Sequence, residues 1–188
     1  MWLIVGLGNP GSNYAGTRHN VGFDVLDLLS QRYSFPPWKS FLKADVARGK
    51  IAGVDVMLCK PKTFMNLSGD AVGPISRYYD DVTQIVVVHD ELDFEPGIVR
   101  VKQSGGHGGH NGLRSLIQHV GAEFVRVRIG IGKPLGNEDA AGFVLSRIDA
   151  KSQPLMRSAF DEAADAVTEI VTLGVASAMR HHNVRDVL

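Results

Sequence analysis

The run Gln84–Val88, QIVVV, constrains the fold of this chain more than any other stretch. Four consecutive β-branched residues leave no polar alternate, the pattern of a strand buried on both faces. Such a strand needs helices above and below it, which means a parallel or mixed sheet inside an α/β domain. The run leads without a break into His89-Asp90-Glu91. It therefore delivers titratable side chains at a carboxyl end, where open α/β sheets bind their ligands.

The rest of the chain reads as partners for that strand. Leu3–Val5 is a short apolar strand feeding the turn Gly6-Leu-Gly8-Asn-Pro-Gly11. Asn20–Arg32 then sets Val21, Val25, Leu28 and Leu29 on one helical face, with Asn20 as N-cap. Ser34–Lys43, with Pro36 and Pro37, is expected to be irregular, and Ala44–Arg48 with Val54–Lys60 to form a hairpin ended by Pro61. A helix is expected from about Asn66 or Ser68 to Tyr79, kinked or shortened by Pro74. Ile98–Lys102 and Phe124–Ile131 alternate as strands. Between them the loop Ser104–Gly112 opens into a helix Leu113–Val120 with Asn111 as N-cap. Pro134–Ala150 is a Gly- and Pro-punctuated connection. Ser152–Leu173 is an amphipathic helix with Leu155, Ala159, Ala163, Val167, Ile170 and Val171 as its apolar stripe. Gly174 stands at its C′ position, and a short helical tail follows. At 188 residues the length fits one domain, 1–188, a twisted mixed β-sheet flanked by helices on both faces.

Composition narrows the class. With 44% hydrophobic and 21% charged residues the chain is neither disordered nor fibrous, and no run approaches the roughly 18 apolar residues of a membrane span. The start MWLIVGLGNPG lacks a basic n-region and a small-residue cleavage site and reads as a first strand. The lone Cys59 excludes an internal disulfide and reads as a packed thiol, so the expected compartment is the cytoplasm. Lys+Arg and Asp+Glu both number 20, yet Ile98–Pro134 holds Arg100, Lys102, Arg114, Arg126, Arg128 and Lys133 against Glu123 alone. Such a local basic face suits phosphate contacts, although charge clusters also serve simply as solvated surface.

Three residues are expected to converge. His19 follows the first strand, Asn66 follows Val54–Lys60, and Asp90 follows Gln84–Val88. If these strands are parallel, all three lie at one carboxyl edge. There a histidine can take a proton from water, a carboxylate can hold its tautomer, and an amide can orient water or meet an oxyanion. No G-x-S-x-G elbow is present, so water is the expected nucleophile. Each residue also has a plainer reading: His19 as a cap or surface group, Asn66 as an N-cap, Asp90 as a turn closer.

Two rival chemistries compete. The spacing Gly6, Gly8, Gly11 matches a dinucleotide fingerprint, but Pro10 removes an N–H from the loop and the helix resumes only near Asn20. A nucleotide-dependent oxidoreductase is therefore the weaker reading. His107 and His110, with His89 or Asp90, could in principle hold zinc, though in a glycine loop that matches no helical H-E-x-x-H pattern.

Taken together, GLGNPGSNYAGTRHNVGF, KPKTFMNLSG, HDELDFEPG, SGGHGGHNGLRS and VRIGIGKP resemble the successive signatures of bacterial peptidyl-tRNA hydrolases, in order and over nearly the whole chain. The resemblance implies a monomeric, cytoplasmic, metal-independent hydrolase that needs no cofactor, membrane or obligatory protein partner. It would cleave the ester between a peptide and the 3′-terminal ribose of tRNA, freeing tRNA that has dropped off the ribosome. Carried over by motif, His19 is the base, Asp90 its orienting carboxylate, and Asn66 stabilises the transition state or positions the water. Asn9, Tyr14, Met65, His110 and Asn111 would contact the peptide and the 3′ end. Lys102, Arg100, Arg126 and Arg128 would meet tRNA phosphates along the acceptor stem. The sequence departs from the family at Ser104 (usually a glycine), Arg100 (often a lysine) and Pro74, none of them a proposed catalytic residue. A non-catalytic RNA-binding module on the same fold is the alternative.

Overall fold

The β-branched run forms the heart of strand β5, Gln84–Glu91, in a computed structural model that describes residues 1–183. Val86, Val87 and Val88 are all fully buried. Their side chains alternate between two cores, because successive residues of a strand point to opposite faces. Val86 and Val88 join one core with Ile4, and Val87 joins the other with Leu3 and Val5. Cores on both faces of one strand confirm that the sheet is a middle layer.

Seven strands make this sheet: β1 Trp2–Gly6, β2 Lys39–Phe41, β3 Ala44–Ile51, β4 Val54–Pro61, β5, β6 Val99–Gln103 and β7 Val125–Gly130. Their spatial order is β2-β3-β4-β1-β5-β7-β6. The four central strands β4, β1, β5 and β7 run parallel, with Leu3 opposite both Met57 and Ile85. Antiparallel strands finish each edge. The β3–β4 hairpin turns at Ala52 and Gly53, both at positive φ.

Among the described residues six α-helices cover the faces: α1 Val21–Arg32, α2 Gly69–Tyr78, α3 Asn111–Val120, α4 Ala140–Val144, α5 Gln153–Leu173 and α6 Val175–His182. Buried residues of α1, α5 and α6 line the core that holds Ile4, and those of α2 and α3 line the core that holds Leu3. The chain leaves β1 toward β4 by way of α1 and returns past β1 to β5 by way of α2. That reversal places a switch point at the carboxyl end of β1, the usual position for a ligand crevice. No helix among the described residues is long and apolar enough to cross a membrane.

Several local expectations are corrected. The stretch expected to be irregular contains the short strand β2, held by pairing with β3. Helix α2 runs through Pro74 and four residues beyond it, so the proline costs one backbone bond without ending the helix. Leu155 is 53% exposed, and Met156 takes its place on the buried stripe of α5. On the outer side of edge strand β6, the Asn183 amide accepts from Val101 N and donates to Val101 O, both at 2.8 Å.

Candidate active site

The switch point is built by close backbone approach. A Cβ on Gly22, in the first turn of α1, would lie 2.5 Å from both Leu7 N and Val88 O, and one on Gly6 would lie 2.4 Å from Gly22 O. These glycines let α1 begin against the ends of β1 and β5. Of the spaced glycines, Gly6 and Gly8 lie against α1, and Gly11 supplies a positive-φ turn. Immediately before α1, the 3-10 turn Arg18–Asn20 holds His19 against the end of β5. Arg18 latches that turn from outside, donating to Ser146 Oγ at 2.6 Å and Arg147 O at 2.7 Å and lying 4.3 Å from the Phe143 ring centre.

His19 Nδ1 lies 2.7 Å from Asp90 Oδ2, across 71 positions of sequence. Asp90 is 3% exposed. Burial alone would push its carboxyl up, but the His110 and His19 rings outweigh that and hold it well below the ordinary carboxylate range. With a carboxylate as acceptor, His19 carries its proton on Nδ1 and keeps the Nε2 lone pair. His19 lines a cavity of about 450 Å³ together with His89, Asp90, His110 and Asn111. The arrangement is a histidine with its tautomer fixed, on the wall of a cavity.

His110 completes the group. Its Nε2 lies 2.8 Å from Asp90 Oδ1. Its Nδ1 accepts from Gly112 N at 3.1 Å and Leu113 N at 3.3 Å, so His110, and not Asn111, caps α3. Nitrogen and oxygen atoms of His19, Asp90 and His110 all fall within 4.8 Å, which raises the question of a metal ion. The proton pattern argues against one. Because both lone-pair sites of His110 cannot be free at once in a neutral ring, a metal on Nε2 would require either an imidazolate or loss of the helix cap. His107, the other member of the H-x-x-H spacing, turns inward to accept from Gly109 N at 2.9 Å.

Asn9 is held from both sides. Asn20 Oδ1 accepts from Asn9 N and Asn20 Nδ2 donates to Asn9 O, each at 2.9 Å. Asn20 therefore occupies the N-cap position of α1 without capping it. Asn9 Oδ1 in turn accepts from Met65 N at 2.8 Å, which fixes the amide orientation and ties β1's loop to the turn Met65–Leu67. Asn66 lies on that turn, exposed and outside the cavity lining, so the structure brings His19 and Asp90 together but not Asn66. Tyr14 meets Phe64 edge-on at 6.5 Å, and Met65 is buried.

The four basic residues separate by depth. Lys102 is exposed on β6. Arg100 and Arg128 are cross-strand partners whose guanidinium carbons lie 5.1 and 4.9 Å from the Phe94 ring centre. Arg126 is the correction: at 2% exposure it is interior, donating to Gly105 O, Gly106 O and Ala122 O. It pins the glycine loop from beneath and has no surface to offer a phosphate. Sequence reasoning also missed Arg18 and the bridging use of Asn20, because neither type nor spacing announces a contact made so far along the chain.

Burial holds His89 and Cys59 in their neutral forms. Burial, with His110 and Arg126 adding to it, pushes His89 down to about 3, and its Nδ1 donates to Asp90 O at 2.8 Å. Burial pushes the Cys59 thiol up to about 12.

Fold and site together define an α/β protein with a histidine–aspartate pair seated at the switch point of its sheet. Known proteins share the fold. A family model described as peptidyl-tRNA hydrolase matches residues 3–187, and the chain belongs to the peptidyl-tRNA hydrolase family. A peptidyl-tRNA hydrolase of Rhodospirillum centenum is 57% identical over 147 residues, covering 78% of this chain and 65% of that protein. This chain thus spans just under two thirds of that relative's length. One of Chloroflexus aggregans is 42% identical over 186 residues, covering 97% and 99%. The crystal structure of peptidyl-tRNA hydrolase from Acinetobacter baumannii matches at a TM-score of 0.91 and 45% identity, over 98% of this chain and 95% of that one.

Proposed function

We propose that this chain hydrolyses the ester joining a peptide to the 3′-terminal ribose of tRNA, as a cytoplasmic monomer without metal or cofactor. The observation that carries the reading is the 2.7 Å contact between His19 Nδ1 and Asp90 Oδ2, which leaves Nε2 as a base beside an open cavity. His19 Nε2 takes a proton from water, and the hydroxide attacks the ester carbonyl carbon. Asp90 stabilises the imidazolium that forms. The tetrahedral oxyanion then collapses, the bond to the ribose 3′ oxygen breaks, and the imidazolium returns its proton to that oxygen. The peptide leaves as a carboxylic acid and the tRNA with a free 3′ hydroxyl.

Asn66, exposed on the turn Met65–Leu67, would meet the oxyanion or the water once substrate is seated, since catalytic hydrogen bonds often tighten only around bound substrate. Asn9, Tyr14, Met65 and Asn111 would line the path of the peptide and the 3′ end. Lys102, Arg100 and Arg128 would meet backbone phosphates, which position the RNA without reading its sequence.

The test is release of an N-blocked aminoacyl group from tRNA. His19→Ala should lower kcat by about 10³-fold or more, the range for removing a catalytic base with its partner intact, and EDTA should change nothing. Wild-type activity in that variant would remove His19 as the base. Tight tRNA binding with no ester cleavage by the wild type would favour the RNA-binding module instead.

A further inference from the structure

Asp90 is shared between two rings. One carboxylate oxygen accepts from His19 and the other from His110. Which proton His110 offers is settled at the far side of its ring. Gly112 N and Leu113 N both donate toward Nδ1, so Nδ1 must present a lone pair and the ring proton sits on Nε2, aimed at Asp90. The same side chain thus satisfies the first free amides of α3 and binds the buried carboxylate.

We propose that His110 is a positioning residue for hydrolysis, acting through Asp90, and not the substrate contact expected of it. The inference rests on the His19–Asp90 reading given above. With Oδ1 held by His110, the carboxylate cannot turn about its last bond, and Oδ2 stays on His19. A neutral donor on Oδ1 also draws charge from Oδ2, which sets how strongly Asp90 holds the imidazolium of His19.

The supporting frame is rigid in the right place. Ser104, Gly105, Gly108 and Gly109 all take positive φ, and Arg126 pins the carbonyls of Gly105 and Gly106. His110 N donates to His107 O at 2.9 Å, closing the loop onto α3. The neighbouring titratable ring, His89, stands edge-on to His110 at 5.2 Å and bonds to the Asp90 main chain, leaving both carboxylate oxygens to His19 and His110. Helix α3 cannot start one residue later without releasing Asp90.

The experiment uses the full chain with His110→Asn and His110→Ala. Asparagine is a good N-cap but too short to span to Asp90, so both variants should melt below wild type and His110→Asn above His110→Ala. Both should lose about 10–100-fold in kcat, the usual range for a residue that orients a ligand through a partner, with KM within about twofold. The acid limb of the kcat/KM profile should move in both, because the carboxylate facing His19 is then neither held in place nor polarised by His110. Ring ¹⁵N NMR should place the His110 proton on Nε2, in the wild type and equally in His19→Ala. A raised KM with unchanged kcat and pH profile, or a proton found on Nδ1, would overturn the proposal. An inactive wild type would instead overturn the hydrolase reading, and the NMR result would still decide the contact.

Discussion

Asp24 is the carboxyl group least suited to its surroundings. It lies in a cavity of about 220 Å³ with Asp27, Asp45, Lys60 and Lys62, but Lys60 is spent on Asp27 at 2.6 Å and Lys62 on Asp45 at 3.7 Å. Burial, then repulsion from Asp27, raises Asp24 to about 6, with Lys60 only partly relieving it. An aspartate raised on folding is protonated in both states below about pH 4, where it costs nothing. Between about pH 4 and 6 the unfolded chain releases the proton first, so stability falls as pH rises, and the loss persists above 6. A shift of this size corresponds to about 3 kcal/mol, and Asp24 recovers about 0.3–1 of it from the N-terminus of α1. Asp24→Asn should therefore stabilise the protein by about 1–2 kcal/mol at pH 7.5 and leave it nearly unchanged at about pH 3, read from thermal melts. An equal gain at both pH values would sink the electrostatic account. Residues of this kind show where sequence reading stops. Asn20 was placed correctly at the start of a helix, but an amide can bridge a backbone 11 positions away as readily as cap its own helix. Arg126 alternates with Val125 and Val127 like any surface arginine, and only the loop folded over it makes it interior.

At the scale of elements, the contact between α1 and the strand ends decides whether His19 reaches Asp90. Gly22→Ala would set a methyl 2.5 Å from two backbone atoms, neither of which can swing aside. It should destabilise the protein by about 3 kcal/mol, the upper part of the overpacking range, and reduce activity in the fraction that folds. A melting temperature near wild type would show that α1 can shift without loss. The central strands and the long helices were legible because their burial is written in uninterrupted patterns: IVVV for β5, LIV for β1, the 3.6-residue stripe for α5. Short elements were not. β2 has three residues, mostly exposed, and exists only because β3 pairs with it. α4 has five, started by Asp139, whose Oδ1 accepts from Gly142 N at 2.7 Å. The stripe of α5 was misread by one residue at its first turn, where Leu155 faces outward and Met156 packs. The convergence of His19 with Asp90 followed from the parallel strands; the part played by His110 did not, since histidine is an uncommon cap and its second bond depends on the loop.

For the molecule as a whole, 20 basic and 20 acidic residues cancel, so RNA binding cannot come from net charge. Arg32, Arg48 and Lys50 are each matched by a nearby aspartate. Lys102 on the outer strand is exposed and makes no ion pair among the described residues. Each phosphate neutralised contributes about 0.7–0.9 to the slope of log affinity against log salt. Lys102→Ala should make that slope shallower by about one such step for tRNA while leaving cleavage of a minimal ester substrate near normal. Equal loss on both substrates would mean that Lys102 supports the active site. The amide of Asn183 bears on a different property of the same edge. It occupies both the N–H and the C=O of Val101, the groups that a neighbouring strand would use. An extended segment of another chain would have to displace it to pair with β6. One side chain thereby helps keep a sheet whose described strands end at β2 and β6 from growing into its neighbours.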